Sequence, residues 1–296
     1  MQKLFHKILP LVFLGLLVQV VPILAQQMTA QQVTESVSDV GRELNHSNNW
    51  AGYVATGGTF TSVSGSWIVP QVNTTGTASD VTWVGIGGTT SRDLIQTGTR
   101  AIVDNNGQIS YQAWYEMLPA NSRKIPLTIN AGDSITASIV QQSTNQWSIS
   151  LHDTTTGQNY QTNVTYASSL SSAEWIEEMP VLGRSFVPLD NFGSVQFSAL
   201  STVKDGTAQT PAQANAHSIV MINYRGQALA QPSNLGNDGT SFTVTRTAST
   251  PTQIVSHFVR SGWRRVVIGV HGFQPFYRQS HGRGRFSGGS GQRFGE

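Results

Sequence analysis

Apolar residues recur at every second position through most of the chain, not at every third or fourth. Val63, Gly65, Trp67 and Val69 fall on one face, Ser64 and Ser66 on the other, and Pro70 stops the run. Ile135, Ala137 and Ile139 alternate with Ser134, Thr136 and Ser138; Trp147, Ile149 and Leu151 alternate with Ser148, Ser150 and His152. Val195, Phe197 and Ala199 repeat the scheme, as do Ile219 with Met221 and Phe242 with Val244. This period predicts β-strands, and Ser and Thr at the alternate positions predict sheets with one wet face. The polar run 153–158, ending Gly157-Gln158, leads into the alternating segment 160–164 and predicts a hairpin. The one candidate helix in this stretch, residues 171–179, reads equally well as a strand. Many short strands joined by turn residues predict an all-β fold of two packed antiparallel sheets.

The ends of the chain break the pattern. Lys3 and Lys7 precede an almost continuous apolar run over 9–24, and Ala25 closes it with a small residue. That order of basic flank, apolar stretch and small residue predicts a signal peptide over 1–25, hence a secreted product without stable membrane association. Residues 26–46 read as a pro-segment or linker: Val33, Val37, Val40 and Leu44 are spaced for one face of a short helix, and a largely unstructured polar linker is the alternative. The sandwich domain is expected over 47–250. Residues 251–296 carry seven Arg against one acid, Glu296, and read as an Arg/Gly-rich tail, disordered or not native-like. Such a tail can bind nucleic acid, but an exported protein has little access to it, so no nucleic-acid partner is expected.

Charge and cysteine content narrow the chemistry. The formal net charge of +2 conceals residues 26–250, which hold 9 basic and 15 acidic groups, a net of −6. With no cysteine in 296 residues, disulfides, thiol nucleophiles and Cys-ligated zinc are excluded, and the domain must be held by its core. No Gly-x-Ser-x-Gly nucleophile elbow occurs, and Gly87-Gly88 lacks the Lys-Ser/Thr of a phosphate loop. His152 and His217 lack metal-ligand spacing and read as structural or solvent-facing, so neither a metal nor a cofactor is expected.

Three segments hold the candidate chemistry. In Leu94-Ile95-Gln96-Thr97-Gly98 an amide interrupts an apolar strand. Gln96 is either a surface or ladder-capping amide or a buried one with partners, since burial without hydrogen bonds costs about 1–3 kcal/mol. In the run 110–117, Tyr111, Ala113, Tyr115 and Met117 share a core-like face, whereas Gln112, Trp114, Glu116 and Leu118 share the other. The second set is either a cleft floor or an exposed strand face. In Ala173-Glu174-Trp175-Ile176-Glu177-Glu178, extension of the chain lines Glu174, Ile176 and Glu178 on one side, again as a cleft or as a wet face with scattered acids. A carboxylate that moves a proton beside an amide that polarises a carbonyl is a minimal kit for peptide hydrolysis.

Together with Asn49-Trp50-Ala51-Gly52, Trp83-Val84-Gly85-Ile86, Gly132-Asp133-Ser134-Ile135 and Thr155-Thr156-Gly157-Gln158, these segments resemble the glutamic peptidase (eqolisin) family, in family order over about 48–245. The resemblance implies a concanavalin-like jelly-roll sandwich and an acid-acting endopeptidase on polypeptide substrates, without cofactor and monomeric. It implies Gln96 and Glu178 as the catalytic pair. Glu178 takes a proton from water and later gives it to the leaving nitrogen, and the Gln96 amide stabilises the oxyanion. Trp50, Trp83, Gly88, Trp114 and Glu116 are implied as groove residues. Gly87 and Gln112 stand where family members often carry acids, and the absent disulfides distinguish the chain from fungal members and fit a bacterial-type one. A jelly-roll glycoside hydrolase with Glu116 and Glu178 as its carboxylates, or a secreted carbohydrate-binding module, is the competing reading.

Overall fold

Among the residues described by this computed structural model, 45–247 apart from Thr90 and Arg184, the chain forms eighteen β-strands and no helix. The leader, the helical stripe of Val33, Val37, Val40 and Leu44, and the Arg/Gly-rich tail lie outside the described residues. The strands are β1 (Asn45–Ser47), β2 (Trp50–Thr56), β3 (Phe60–Ile68), β4 (Ala78–Gly87), β5 (Leu94–Val103), β6 (Ile109–Met117), β7 (Arg123–Ile125), β8 (Ser134–Ser143) and β9 (Gln146–Asp153). They continue as β10 (Asn159–Thr165), β11 (Ser172–Glu178), β12 (Val181–Leu182), β13 (Ser185–Phe186), β14 (Ser194–Lys204), β15 (Thr207–Gln209), β16 (His217–Ile222), β17 (Ala228–Pro232) and β18 (Phe242–Arg246).

Hydrogen bonding links most of them along one path, β10-β9-β8-β3-β14-β18-β17-β16-β2-β11-β4-β5-β6-β7, and every pair along it is antiparallel. The path doubles back on itself. β3 packs against β4 and β11, β8 against β4 and β5, and β9 against β5, so the two halves face each other as the layers of a sandwich. The two-sheet architecture expected from the alternation is therefore present, with β16, β17 and β18 carrying the chain from one layer to the other.

The layer of β3, β8, β9 and β10 behaves as its sequence dictates. Val63, Trp67, Ile135, Ala137, Ile139, Trp147, Ile149 and Leu151 are buried in the shared core. Their outward neighbours pair as hydroxyls across strands: Ser64 with Ser201, Ser66 with Thr136 and Ser138 with Ser150, each at 2.8 Å. The turn expected after Asp153 joins β9 to β10, with Asp153 accepting from the backbone N–H groups of Thr155 and Thr156. Two buried indoles tie the layers together: Trp67 Nε1 donates to Thr99 Oγ1 at 2.9 Å, and Trp175 Nε1 donates to the Ser64 carbonyl at 2.8 Å. Each such bond contributes about 1 kcal/mol net, and leaving either donor unpaired costs more.

Two expectations need correction. The period-two pattern fails at Ala199, which is exposed with φ of 50° while Leu200 turns inward. A register shift between Ser198 and Ser201 inserts an extra residue there, a bulge that inverts the facing of everything after it. The second correction concerns the wet face. Every residue of β4 and of β11 is buried, and in β5 all but Ile102. The layer β2-β11-β4-β5-β6 has the main core on one side and a second apolar cluster on the other, made of Trp50, Val54, Val81, Trp83, Leu94, Trp114, Leu118, Ile176 and Ile219. The ambiguous segment 171–179 is accordingly a strand, β11, between β2 and β4.

Candidate active site

The register across β2, β11, β4, β5, β6 and β7 sets the site as three rows on the face of the indole cluster. One row runs Val54, Glu174, Gly85, Gln96, Glu116. The next runs Gly52, Ile176, Trp83, Gly98, Trp114, Lys124. The third runs Trp50, Glu178, Val81, Arg100, Gln112. Strand alternation alone puts the polar residues on this face, because their neighbours Ala173, Trp175, Ile95, Ala113 and Tyr115 all enter the main core.

Gln96 and Glu116, adjacent in the first row, are both buried and directly bonded: Gln96 Nε2 donates to Glu116 Oε2 at 2.7 Å. This fixes the amide edge and leaves one of its two N–H groups and Oε1, which has no protein partner, for other chemistry. Glu178 is held by different donors. Its Oε1 accepts from Asn49 Nδ2 at 3.0 Å, and its Oε2 accepts from Trp83 Nε1 at 2.8 Å. Both are N–H groups with nothing to accept, so both oxygens of Glu178 are committed as acceptors, the arrangement that suits the anion. Trp83 in turn packs edge-on against Trp50, with ring centroids 5.0 Å apart.

Burial opposes that anion. Desolvation, then the like charge of Glu116, push the Glu178 carboxyl up to about 8, while Trp83, Trp50 and Asn49 pull it down. Burial outweighs those hydrogen bonds. Burial also pushes Glu116 up to about 7, against the Gln96 bond and the Arg100 charge, which lower it. Below that value Glu116 is neutral and its repulsion of Glu178 disappears, so the donors act on Glu178 with desolvation as their main opponent. Arg100 lies in the third row and donates from Nε and Nη2 to Gln112 Oε1 at 3.2 and 2.7 Å. Desolvation lowers it to about 10, leaving it a cation throughout acid and neutral pH.

The expected residues thus converge, with exceptions. Gln96, Glu116, Glu178, Trp50, Trp83 and Trp114 share one face, and the surface-amide and wet-face readings of Gln96 and β11 are overturned by burial. Gln96 and Glu178 are not bonded to each other; β4 runs between their strands, and they stand diagonally across the Trp83 row. Gly88 belongs to the turn after β4, beyond the three rows, where its N–H donates to Ser91 Oγ at 3.3 Å and its backbone lies against Leu94 of the indole cluster. His152 is exposed and His217 half-buried in register with Val54. Among the described residues no group of His, Asp and Glu is arranged to hold a metal ion. Sequence reading missed Asn49 as a partner of Glu178, since it lies outside β2 and reaches Glu178 only through the pairing of β2 with β11. It also missed that Arg100 shares this face, although its position two residues beyond Gly98 on the strand of Gln96 was a readable signal.

An antiparallel sandwich carrying a buried amide–carboxyl pair and an N–H-bound carboxylate among indoles holds the groups that acid–base and electrostatic hydrolysis can use. The chain belongs to the Peptidase A4 family, the glutamic peptidases or eqolisins, whose model matches residues 48–246. It is therefore a peptidase, and the glycosidase and carbohydrate-binding readings fall. It is 31% identical over 221 residues to aspergillopepsin-2 of Aspergillus niger, covering 66% of this chain and 77% of the relative. To scytalidopepsin B of Scytalidium lignicola it is 32% identical over 195 residues, covering 62% and 74%. The scytalido-glutamic peptidase structure with a peptide-based transition-state analogue superposes with a TM-score of 0.59 at 30% identity, covering 68% of this chain and 98% of that one.

Proposed function

We propose that the protein is a secreted, acid-acting endopeptidase in which Glu178 is the general base and Gln96 the oxyanion-stabilising amide. Ionised Glu178 removes a proton from water, and the oxygen of that water attacks the scissile carbonyl. The free N–H of Gln96 donates to the oxyanion that forms. Protonated Glu178 then gives its proton to the departing nitrogen, the C–N bond breaks and the carboxylate is restored. The observation that carries this reading is the pair of donor-only N–H groups on the two oxygens of Glu178. Glu174, the other carboxyl on the same strand face, instead accepts from the Thr89 hydroxyl at 3.1 Å, and burial holds it well above the ordinary range.

In acid a neutral Glu116 lifts one of the two effects that hold Glu178 protonated; the larger one, desolvation, persists, so the base acts through the ionised minority of Glu178. The peptide-based analogue bound to scytalido-glutamic peptidase supports a polypeptide substrate, laid over Trp50, Trp83 and Trp114. Residues 1–25 act as the export signal, 26–46 as a pro-segment or linker and 47–250 as the catalytic domain, working as a monomer.

The test is cleavage of a denatured protein substrate from strongly acidic to neutral pH, with Glu178→Gln, Gln96→Leu and Glu174→Gln beside the parent. Loss of about 100-fold or more in kcat is expected for the first two, and a change within about tenfold for Glu174→Gln. Retained activity in Glu178→Gln with loss in Glu174→Gln overturns the assignment.

A further inference from the structure

The ladder that carries the Gln96–Glu116 pair has one rung closed by a side chain from a distant segment. β5 and β6 pair antiparallel, with Gln96 opposite Glu116 and Ile95 opposite Met117. Two residues beyond Gln96 and Glu116, the Leu118 N–H donates to the Leu94 carbonyl at 2.9 Å, one half of the reciprocal exchange of an antiparallel rung. The other half runs through the Tyr166 hydroxyl, which accepts from the Leu94 N–H at 2.8 Å and donates to the Leu118 carbonyl at 2.8 Å. Leu94 and Leu118 belong to the indole cluster, so this rung is the neighbour of Gln96 and Glu116 on the site face. Tyr166 is itself anchored: its N–H donates to the Asn145 carbonyl at 2.9 Å, and its carbonyl accepts from Trp147 Nε1 at 2.9 Å. Further along the same segment, Ser168 Oγ and the Ser169 N–H donate to Asp93 Oδ2 at 3.1 and 2.6 Å. Residues 166–169, between β10 and β11, thus tie down the start of β5 at both Asp93 and Leu94. Burial, with the charges of Asp93 and Glu116, pushes the Tyr166 hydroxyl up to about 12 against the Leu94 N–H, which lowers it. The hydroxyl therefore keeps its proton, and both of its bonds, throughout acid and neutral pH.

We propose that Tyr166 is a positioning residue for peptide hydrolysis: its hydroxyl sets the separation of β5 and β6 beside Gln96 and Glu116, and so aims the Gln96 amide. This rests on the assignment of Gln96 as the oxyanion-stabilising group. A direct N–H···O=C bond spans about 2.9 Å, and two bonds through a hydroxyl span more. The rung is accordingly splayed, tight at the Leu118 N–H and open at the Leu94 N–H. The next hydrogen-bonded pair along the ladder is Gln96 with Glu116, and their side chains meet at 2.7 Å, a bond without slack. A change in strand spacing there lengthens that bond and turns the second N–H of Gln96 away from its target. Misplacing a reacting group by about 1 Å can cost about 100-fold in rate, so the bridge has leverage without touching substrate.

Tyr166→Phe removes the bridge and keeps the ring. Its kcat is expected to fall by about tenfold or more, with KM within about twofold of the parent's. In a Gln96→Leu background the same substitution is expected to cost no further kcat, because the group it aims is gone. A loss that reflects only a weakened fold is equal in both backgrounds; that result, or an unchanged kcat in Tyr166→Phe, overturns the proposal. Ser168→Ala, which removes a donor to Asp93 and leaves the Tyr166 hydroxyl in place, carries the test if Tyr166→Phe does not fold. Its loss is expected to be smaller, about threefold, and again confined to chains that retain Gln96. Carbon NMR of the Glu116 carboxyl separates this proposal from the assignment of Gln96. The Gln96 bond lowers Glu116, so its lengthening in Tyr166→Phe is expected to move the Glu116 titration to higher pH. If Gln96→Leu turns over at the parent's rate, the Gln96 assignment falls; a raised Glu116 titration then still supports the bridge as what sets the pair, and an unmoved one refutes it as well.

Discussion

Glu178 and Glu116 are the same residue type on the same face, yet they are held differently. Glu116 accepts the Gln96 N–H on Oε2 and its Oε1 has no side-chain partner, whereas both oxygens of Glu178 accept from side-chain N–H groups. That difference makes Trp83 a determinant of acid–base behaviour. Replacing it by Phe removes the 2.8 Å donor to Glu178 and raises the carboxyl, because the bond favours the ionised form. The acid limb of the kcat/KM profile in Trp83→Phe is expected to move about one pH unit higher, the equivalent of one charge-assisted hydrogen bond. An unmoved limb would mean that Glu178 is not the group titrating there. At this scale the sequence was informative about which residues matter and silent about how. Gln96, Glu116 and Glu178 were readable as polar interruptions of apolar strands. The donor set of Glu178 was not, because Asn49 and Trp83 lie 129 and 95 residues away in sequence.

Among the elements, β5 stands out for what its middle omits. Gly98 lies in register between Trp83 and Trp114, and a Cβ there would run into the Thr82 carbonyl oxygen and the Cα and Cβ of Trp83. Backbone cannot retreat as a flexible side chain can, so the bare Gly98 backbone lets β4 pass close beneath the two indoles. Gly98→Ala is expected to destabilise the domain by about 1–3 kcal/mol in urea unfolding at acid pH. It is also expected to lower kcat by moving Gln96, two residues along the same strand. Unaltered stability and turnover would show that β4 and β5 can separate without cost. The strands themselves were legible where one side is wet: β3, β8 and β9 match their alternation almost residue for residue. They were less legible in β4 and β11, which are buried on both faces, so polar residues there mark a site and not a solvent side. The bulge at Ala199 left no mark in the alternation, since it is decided by how β14 must bend to stay paired with β3.

For the molecule as a whole, the core side of β11 holds a second group of acids. Glu177 faces Asp80, and a bridge between Ser79 and Leu189 brings Asp190 beside Asp80. Thr82 Oγ1 donates to Glu177, the Ala101 N–H donates to Asp80, and Tyr111 and Arg246 are the other titratable groups that face the cluster. Burial pushes Asp80 up to about 6 and, with Asp80 as a like charge, Asp190 up to about 9; Glu177 is raised well above the ordinary range for the same reasons. Each folded value exceeds the unfolded one of about 4, so between them the native state binds more protons. Stability is complete below about pH 4 and falls as pH rises through about 6 and onward to about 9, by up to about 1.4 kcal/mol per pH unit for each retained proton. Urea midpoints are expected to drop from acid to neutral pH, and Asp190→Asn to lessen that drop while leaving the acid midpoint close to the parent's. A parent more stable at neutral pH than in acid would refute the cluster's role. The peptidase and its fold would then share one dependence on protons, through neighbouring residues of one strand, Glu177 inward and Glu178 outward.

What the sequence determined by itself was the period, and with it the strands, the sandwich, the family and the short list of polar residues able to do chemistry. These follow from local rules: side chains alternate along an extended chain, and a polar residue in an apolar run must answer for its burial. What only the tertiary structure decided was which of those residues meet and in what charge state. Rows such as Glu174, Gly85, Gln96 and Glu116 are set by pairing between strands far apart in sequence. Proton affinities are set by the water that such pairing excludes, and no local pattern along the chain encodes either.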